Sequence, residues 1–106
     1  MQPQESRFKV ELYFDPNADE LNDARSDTDK IFSAFGMPCL VSDNTRRIYG
    51  DSGDPKDFGK LCAAIARSSK IPYIQNAVSD AYFDIDNGDD RETLMTSFFG
   101  KKRRAS

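Results

Sequence analysis

A small α+β domain built on an antiparallel sheet is what this sequence predicts, and three observations predict it. Residues 8–14 and 81–85 alternate apolar and polar side chains with the two-residue period of a half-buried strand. Residues 18–35 and 55–68 instead repeat apolar side chains at helical spacing. Between those two helical stretches, a β-rich pair of segments flanks the turn formers Ser42-Asp43-Asn44-Thr45, which completes a βαββαβ order.

Each element has its own justification. Phe8, Val10, Leu12 and Phe14 alternate with Lys9, Glu11 and Tyr13 as a first strand that stops near Asp15-Pro16. Asn17 and Glu20 have the spacing of a capping box, and Leu21, Ala24, Thr28, Ile31, Phe32 and Phe35 then mark a helix over 18–35, closed by Gly36. Cys39-Leu40-Val41 and Arg47-Ile48-Tyr49 read as a hairpin. Asp54-Pro55 sets a capping oxygen before a proline suited to a first turn, and Phe58, Leu61, Cys62 and Ile65 follow as a stripe, so a second helix is expected from Pro55 to about Ser68. Ile71-Pro72-Tyr73-Ile74 through Val78 reads either as a short extra turn or as an extended lead-in. Ala81, Phe83 and Ile85 form the fourth strand, stopped at Asn87-Gly88, and Leu94, Met95, Phe98 and Phe99 suggest a short C-terminal helix with an apolar face. The simplest packing is a ferredoxin-like, four-stranded antiparallel sheet of order 4-1-3-2. One domain over residues 1–106 is expected, with an ordered core of about 7–99 and a flexible basic tail at 100–106.

Composition narrows the chemistry. The 106 residues contain no histidine and two cysteines, which removes histidine-based zinc sites, Ser-His-Asp and Cys-His pairs, and cysteine-rich clusters. Any metal would be a hard cation on carboxylates. Cys39 and Cys62 sit in apolar runs, so buried free thiols are expected rather than a disulfide. No run approaches the length of a membrane span, and Met1-Gln2-Pro3-Gln4-Glu5 lacks the basic start and apolar stretch of a signal peptide, so a cytoplasmic protein is expected. Four of the 15 basic residues are consecutive at Lys101–Arg104, so the rest of the chain is more acidic than the net charge of -3 suggests. A broad footprint for duplex nucleic acid is missing. Lys101-Lys102-Arg103-Arg104 reads first as a solvated tail. Asp84–Asp90 resembles a calcium loop, but its glycine falls one place early and Met95 stands where a bidentate glutamate belongs, so turn formation is the better reading.

In the expected sheet the end of β1 lies beside the starts of β3 and β4, which brings Asp15, Asp80 and Arg46-Arg47 together. Alternation pairs Asp15 with Tyr13, Asp80 with Tyr82 and Arg47 with Tyr49, and all six are expected on the helix-free face. Tyr13, Tyr49 and Tyr82 there suit either stacking of single-stranded RNA bases or burial against a second copy, with dimer burial the expected role. Tyrosine also fits a half-buried strand without any such role. Two carboxylates beside a guanidinium suit Mg²⁺ and a phosphodiester. Asp15 alone is a poor metal site, but two copies can share an ion across a twofold axis. The plainer reading of Asp15 is a strand-ending residue before a turn.

Leu12-Tyr13-Phe14-Asp15, together with Ala64–Ile74 and Val78-Ser79-Asp80 leading into Ala81-Tyr82-Phe83-Asp84-Ile85, resembles the virulence-associated protein D family. The resemblance spans about residues 8–86. It implies a ferredoxin-like fold related to the small CRISPR-associated nucleases of spacer acquisition, a homodimer and, in some members, endoribonuclease activity within toxin–antitoxin-like modules. The matching β1 aspartate is Asp15, which the family places near the dimer axis. Pro16-Asn17 directly after Asp15, and Thr45-Arg46-Arg47-Ile48-Tyr49 where the family usually shows a small polar residue before its tyrosine, depart from the pattern.

Two functions from different classes follow. The first is a small homodimeric endoribonuclease with Asp15, Arg47 and Asp80 at the scissile phosphate, Mg²⁺ held by Asp15, and Tyr13, Arg46, Tyr49 and Tyr82 as the RNA-binding or dimer face. Carboxylates as a class are weak bases at neutral pH, so metal assistance or a strained phosphate is required. The second is a non-catalytic, antitoxin-like module that binds a cognate partner protein through the tyrosine face or through Leu94, Met95, Phe98 and Phe99.

Overall fold

In the computed structural model, residues 8–54, 56–85, 90–95 and 98–99 are described. The elements run β1 (Phe8–Phe14), α1 (Leu21–Ala34), β2 (Cys39–Ser42), β3 (Arg46–Gly50), α2 (Asp57–Ser69), α3 (Pro72–Ala77), β4 (Val78–Ile85) and β5 (Asp90–Thr93). They form a five-stranded antiparallel sheet of order β2-β3-β1-β4-β5 and three helices. The sheet therefore carries one strand more than the four expected. β5 pairs with the outer side of β4, and at the place of the expected C-terminal helix the described residues 94, 95, 98 and 99 make a turn closed on the Leu94 carbonyl, with residues 96–97 outside the described residues. The Phe98 N–H reaches the Leu94 carbonyl at 3.0 Å and the Phe99 N–H reaches it at 3.3 Å, while Leu94, Met95 and Phe99 are buried in the chain's own core. Those side chains are thus no exposed docking stripe.

One apolar cluster gathers the inward row of β1, Val10, Leu12 and Phe14, with Ala24 and Phe32 of α1, Leu61, Ala64 and Ile65 of α2, and Ile74 and Ala77 of α3. The sheet thus has one face under helices, and among the described residues no helix covers the other. On α1 the buried positions Ala24, Thr28 and Phe32 recur every four residues, as an amphipathic helix requires, and the Thr28 hydroxyl is absorbed by the Ala24 carbonyl at 2.6 Å. The helix stops in a Schellman arrangement: Gly36 N–H to Ser33 O and Met37 N–H to Phe32 O, with Gly36 at φ 76°, which a residue with a Cβ adopts at a cost of about 1 kcal/mol. Asn17 and Glu20 do not close the expected capping box, because the Asn17 N–H bonds the Asp15 side chain instead.

Helix α2 begins at Asp57, with Pro55 outside the described residues. The Asp54 carboxylate accepts the Lys56 N–H at 2.9 Å within the turn that precedes the helix, while the N-cap position itself falls to Lys56, so Asp54 does not take the expected cap. Pro72 lacks an N–H and cannot continue α2, so the chain breaks at Ile71 and restarts as α3, the shorter turn of the two readings. Both thiols are free, but Cys39 is exposed on the edge strand rather than buried, and Cys62 is half-buried. Residues 1–7, the centre of the calcium-like loop at 86–89, and the basic tail at 100–106 lie outside the described residues. No described helix is long and apolar enough to cross a membrane.

Candidate functional site

The end of β1 is held from both sides. Phe14 N–H donates to the Thr45 carbonyl at 2.7 Å, and Asp15 N–H donates to the Ala77 carbonyl at 2.7 Å. Between them the β1–β4 register shifts, since Tyr13 faces Asp80 but Phe14 faces Val78, which leaves Ser79 as an extra residue. Its hydroxyl bonds the Tyr13 carbonyl at 3.2 Å. Such a bulge re-aims the strand it interrupts. The extra residue belongs to β4, and Asp15, past the end of β1, has its Oδ1 accept the Asn17 N–H at 2.9 Å and its carbonyl accept the Ala18 N–H at 3.1 Å.

Asp15 there borders a cleft of about 580 Å³ between the start of α1 and α3. Asn17, Asp19 and Glu20 form one wall, and Tyr73 and Asn76 the other. The Tyr73 hydroxyl is tied to Asp27 of α1, and Asp27 also faces Lys30 at 3.8 Å. Although three acids share the cleft, among the described residues no group of three or more carboxylates or thiols converges to hold a metal. The expectation of a shared Mg²⁺ therefore depends on Asp15 of a second copy.

The predicted site residues separate onto two faces. Tyr13 faces Arg46 on β3 and Asp80 on β4, and Glu11 faces Ile48 and Tyr82, so Tyr13, Asp80 and Tyr82 share the helix-free face as expected, with Arg46 beside them, whereas Asp15, expected there too, borders the cleft of α1 and α3 instead. The Tyr13 and Tyr82 rings meet edge to face at 6.2 Å. Tyr13 donates its hydroxyl proton to Glu11 at 2.9 Å, and Tyr82 donates to Asp80 at 2.5 Å.

Arg47 and Tyr49 are corrections. They face Leu12 and Val10, which puts them on the helix-covered side, opposite to the expectation. Tyr49 is 1% exposed and stacked on Phe32, with centroids 3.9 Å apart and planes 7° apart. Arg47 donates its Nε–H to Asp29 of α1 at 3.1 Å. Neither can take part in an RNA-binding or dimer surface on the open face. Burial, followed by the hydrogen bond to Asp29, pushes the Tyr49 hydroxyl well above the usual tyrosine range.

The chain matches no protein-family model, no curated protein and no solved structure. What the site does must be read from its own geometry.

Sequence reasoning missed three acids. Asp29 collects Arg47 and Tyr49, Asp27 holds Tyr73, and Asp57 is fully buried at the first turn of α2. Asp57 Oδ2 accepts both the Ser52 hydroxyl at 2.5 Å and the Ser52 N–H at 2.7 Å, and these bonds hold its carboxyl below the usual carboxylate range. Asp51 similarly fastens the start of β1, accepting the Phe8 N–H at 2.8 Å. The one sequence signal for Asp57 was an acid in the first turn of a predicted helix. For Asp29 it was a place one turn before Phe32 on the flank of α1.

Proposed function

We propose that this chain is a small endoribonuclease of the virulence-associated protein D type, with a ferredoxin-like core, acting as a homodimer joined by its helix-free sheet face. The observation that carries this reading is the position of Asp15, held by backbone hydrogen bonds at the end of the central strand and at the lip of an open cleft. A carboxylate at that place is suited to accept the proton of a ribose 2′-hydroxyl as its oxygen bonds to the adjacent phosphorus and the P–O5′ bond breaks, giving a 2′,3′-cyclic phosphate and a 5′-hydroxyl that takes its proton from water. Mg²⁺ bound between two Asp15 carboxylates would add positive charge for the phosphate oxygens. A toxin–antitoxin role with a cognate partner protein belongs to the same reading.

One observation favours a second reading, in which the same dimer is a non-catalytic interaction module. The guanidinium expected beside Asp15 is on the other face, spent on Asp29. Cleavage of an end-labelled mixed-sequence RNA, with Mg²⁺ or with chelator, decides between them. The ribonuclease reading expects cleavage by wild type and its loss in Asp15→Asn with the oligomeric state unchanged. Absence of cleavage by wild type under both conditions would leave the interaction module.

A further inference from the structure

The helix-free face is charge-segregated in a way that matches itself. Across the strands the residues form rows: Arg46–Tyr13–Asp80, then Ile48–Glu11–Tyr82, then Gly50–Lys9–Asp84. The β3 side therefore presents a cation and an apolar side chain, and the β4 side presents two carboxylates and a tyrosine. Arg46 and Asp80 flank the same residue but stand two strand spacings apart, about 10 Å, too far to neutralise each other within one chain. Within its own chain Arg46 reaches Asp43 only at 3.6 Å, with both side chains about half exposed. Asp80 accepts the Tyr82 hydroxyl and the Ala81 N–H.

Two copies that meet face to face have a twofold axis lying in the plane between them. If that axis crosses the strands, each strand lies over its own copy in reverse, so Arg46 meets only β3 residues and Asp80 only β4 residues, and the two never meet each other. If it runs along β1, the β3 side of one copy covers the β4 side of the other. Arg46 then meets Asp80 twice, and Ile48 meets Tyr82 twice. Packed sheets stand about 10 Å apart, a gap that an arginine and an aspartate reaching from opposite sides together span. The usual rotation of about 30° between packed sheets moves residues one strand from the axis by only about 2–3 Å. We infer that a second copy of this chain docks on the helix-free face about a twofold axis parallel to β1, with Arg46 of each copy against Asp80 of the other. This rests on the homodimer proposed above and supplies its geometry.

The test is a charge exchange in the full chain, read by sedimentation velocity over a range of concentrations. Arg46→Asp and Asp80→Arg each place like charges opposite one another, and each is expected to weaken the homodimer by about 100-fold or more. Mixed one to one, the two variants regain opposite charges at both contacts, and a dimer of near wild-type affinity is expected. Should either variant fail to fold by circular dichroism, Arg46→Gln and Asp80→Asn serve instead, with loss of the wild-type dimer's salt dependence as the expected result. A wild-type dimer that survives both charge reversals, or two folded variants that do not rescue each other, would overturn the arrangement while leaving the dimer itself standing. A monomeric wild type would overturn both, and the RNA assay would judge Asp15 independently.

Discussion

Arg47 and Asp29 join the sheet to α1 through a guanidinium Nε 3.1 Å from a carboxylate oxygen, and the same oxygen receives the Tyr49 hydroxyl. One side chain on the helix thus anchors both inward residues of β3. The Nη1 N–H groups turn to the carbonyls of Asp43 and Arg46, so a side chain only 10% exposed has both its Nε and its Nη1 engaged by protein acceptors. This arrangement explains how an arginine is accommodated beneath the sheet at all.

Removing Asp29 should cost more than its half-exposed position suggests, because two buried donors lose their acceptor together. Asp29→Ala is expected to destabilise the fold by about 2–3 kcal/mol. Asp29→Asn, which keeps one acceptor oxygen, should cost less. Urea denaturation of both variants checks the order, and an Asp29→Ala protein as stable as wild type would sink the anchoring role.

Acid should find Asp57. Its folded-state carboxyl is held below the usual range, first by the Ser52 hydroxyl and then by the Ser52 N–H, with Lys60 at 3.6 Å assisting. A depressed carboxylate contributes stability that is complete above the unfolded value, near pH 4, and is lost as pH falls through the lower folded value. Asp57→Asn is therefore expected to lower stability at pH 7 and to flatten the decline below pH 4. A wild-type-like acid limb in that variant, followed by thermal unfolding from pH 7 to pH 2, would remove Asp57 from the account.

Within the dimer, Glu11 falls on the twofold axis and meets its own copy. The Tyr13 hydroxyl shares part of its charge, but two carboxylates still face each other. Glu11→Gln is accordingly expected to tighten self-association by about 3- to 10-fold, and most clearly at low salt. Sedimentation equilibrium at two ionic strengths measures it, and a weaker dimer would mean that the axis passes elsewhere.

Much of this architecture was legible in the chain. The alternation of Phe8–Phe14 and the stripe of Phe58, Leu61, Cys62 and Ile65 gave β1 and α2 nearly in full, although within that stripe Phe58 stays exposed and Cys62 half-buried while Ala64 is buried instead. The row of Arg46, Tyr13 and Asp80 followed from the strand order, whereas Asp15, expected with them, lines a cleft that neither Arg46 nor Asp80 borders. What failed was parity in β3: Ile48 looked like the inward residue, yet Tyr49 and Arg47 point inward because Phe32 offers a stacking partner and Asp29 a charge, both supplied by a distant helix. Residues 90–99 misled for a similar reason. A short apolar run has no fixed period of its own, and the open edge of β4 recruited Asp90–Thr93 as a strand before the chain turned into the core. The partners of Asp27 and Asp29 come from other elements, Tyr73 of α3 and Arg47 and Tyr49 of β3, so nothing local in the sequence pointed to those bonds.

The central place of β1 also shapes how the molecule comes to exist. Its inward row of Val10, Leu12 and Phe14 is made early, yet one of its two flanking strands comes from a segment that begins only at Val78. During synthesis at about 5–20 residues per second, that apolar ribbon stays half-paired for several seconds. Closure of so long a loop makes the β1–β4 ladder a late and slow event in folding. Until then the nascent chain offers an unfinished sheet edge, and a chaperone that shields extended apolar segments would have its natural target there.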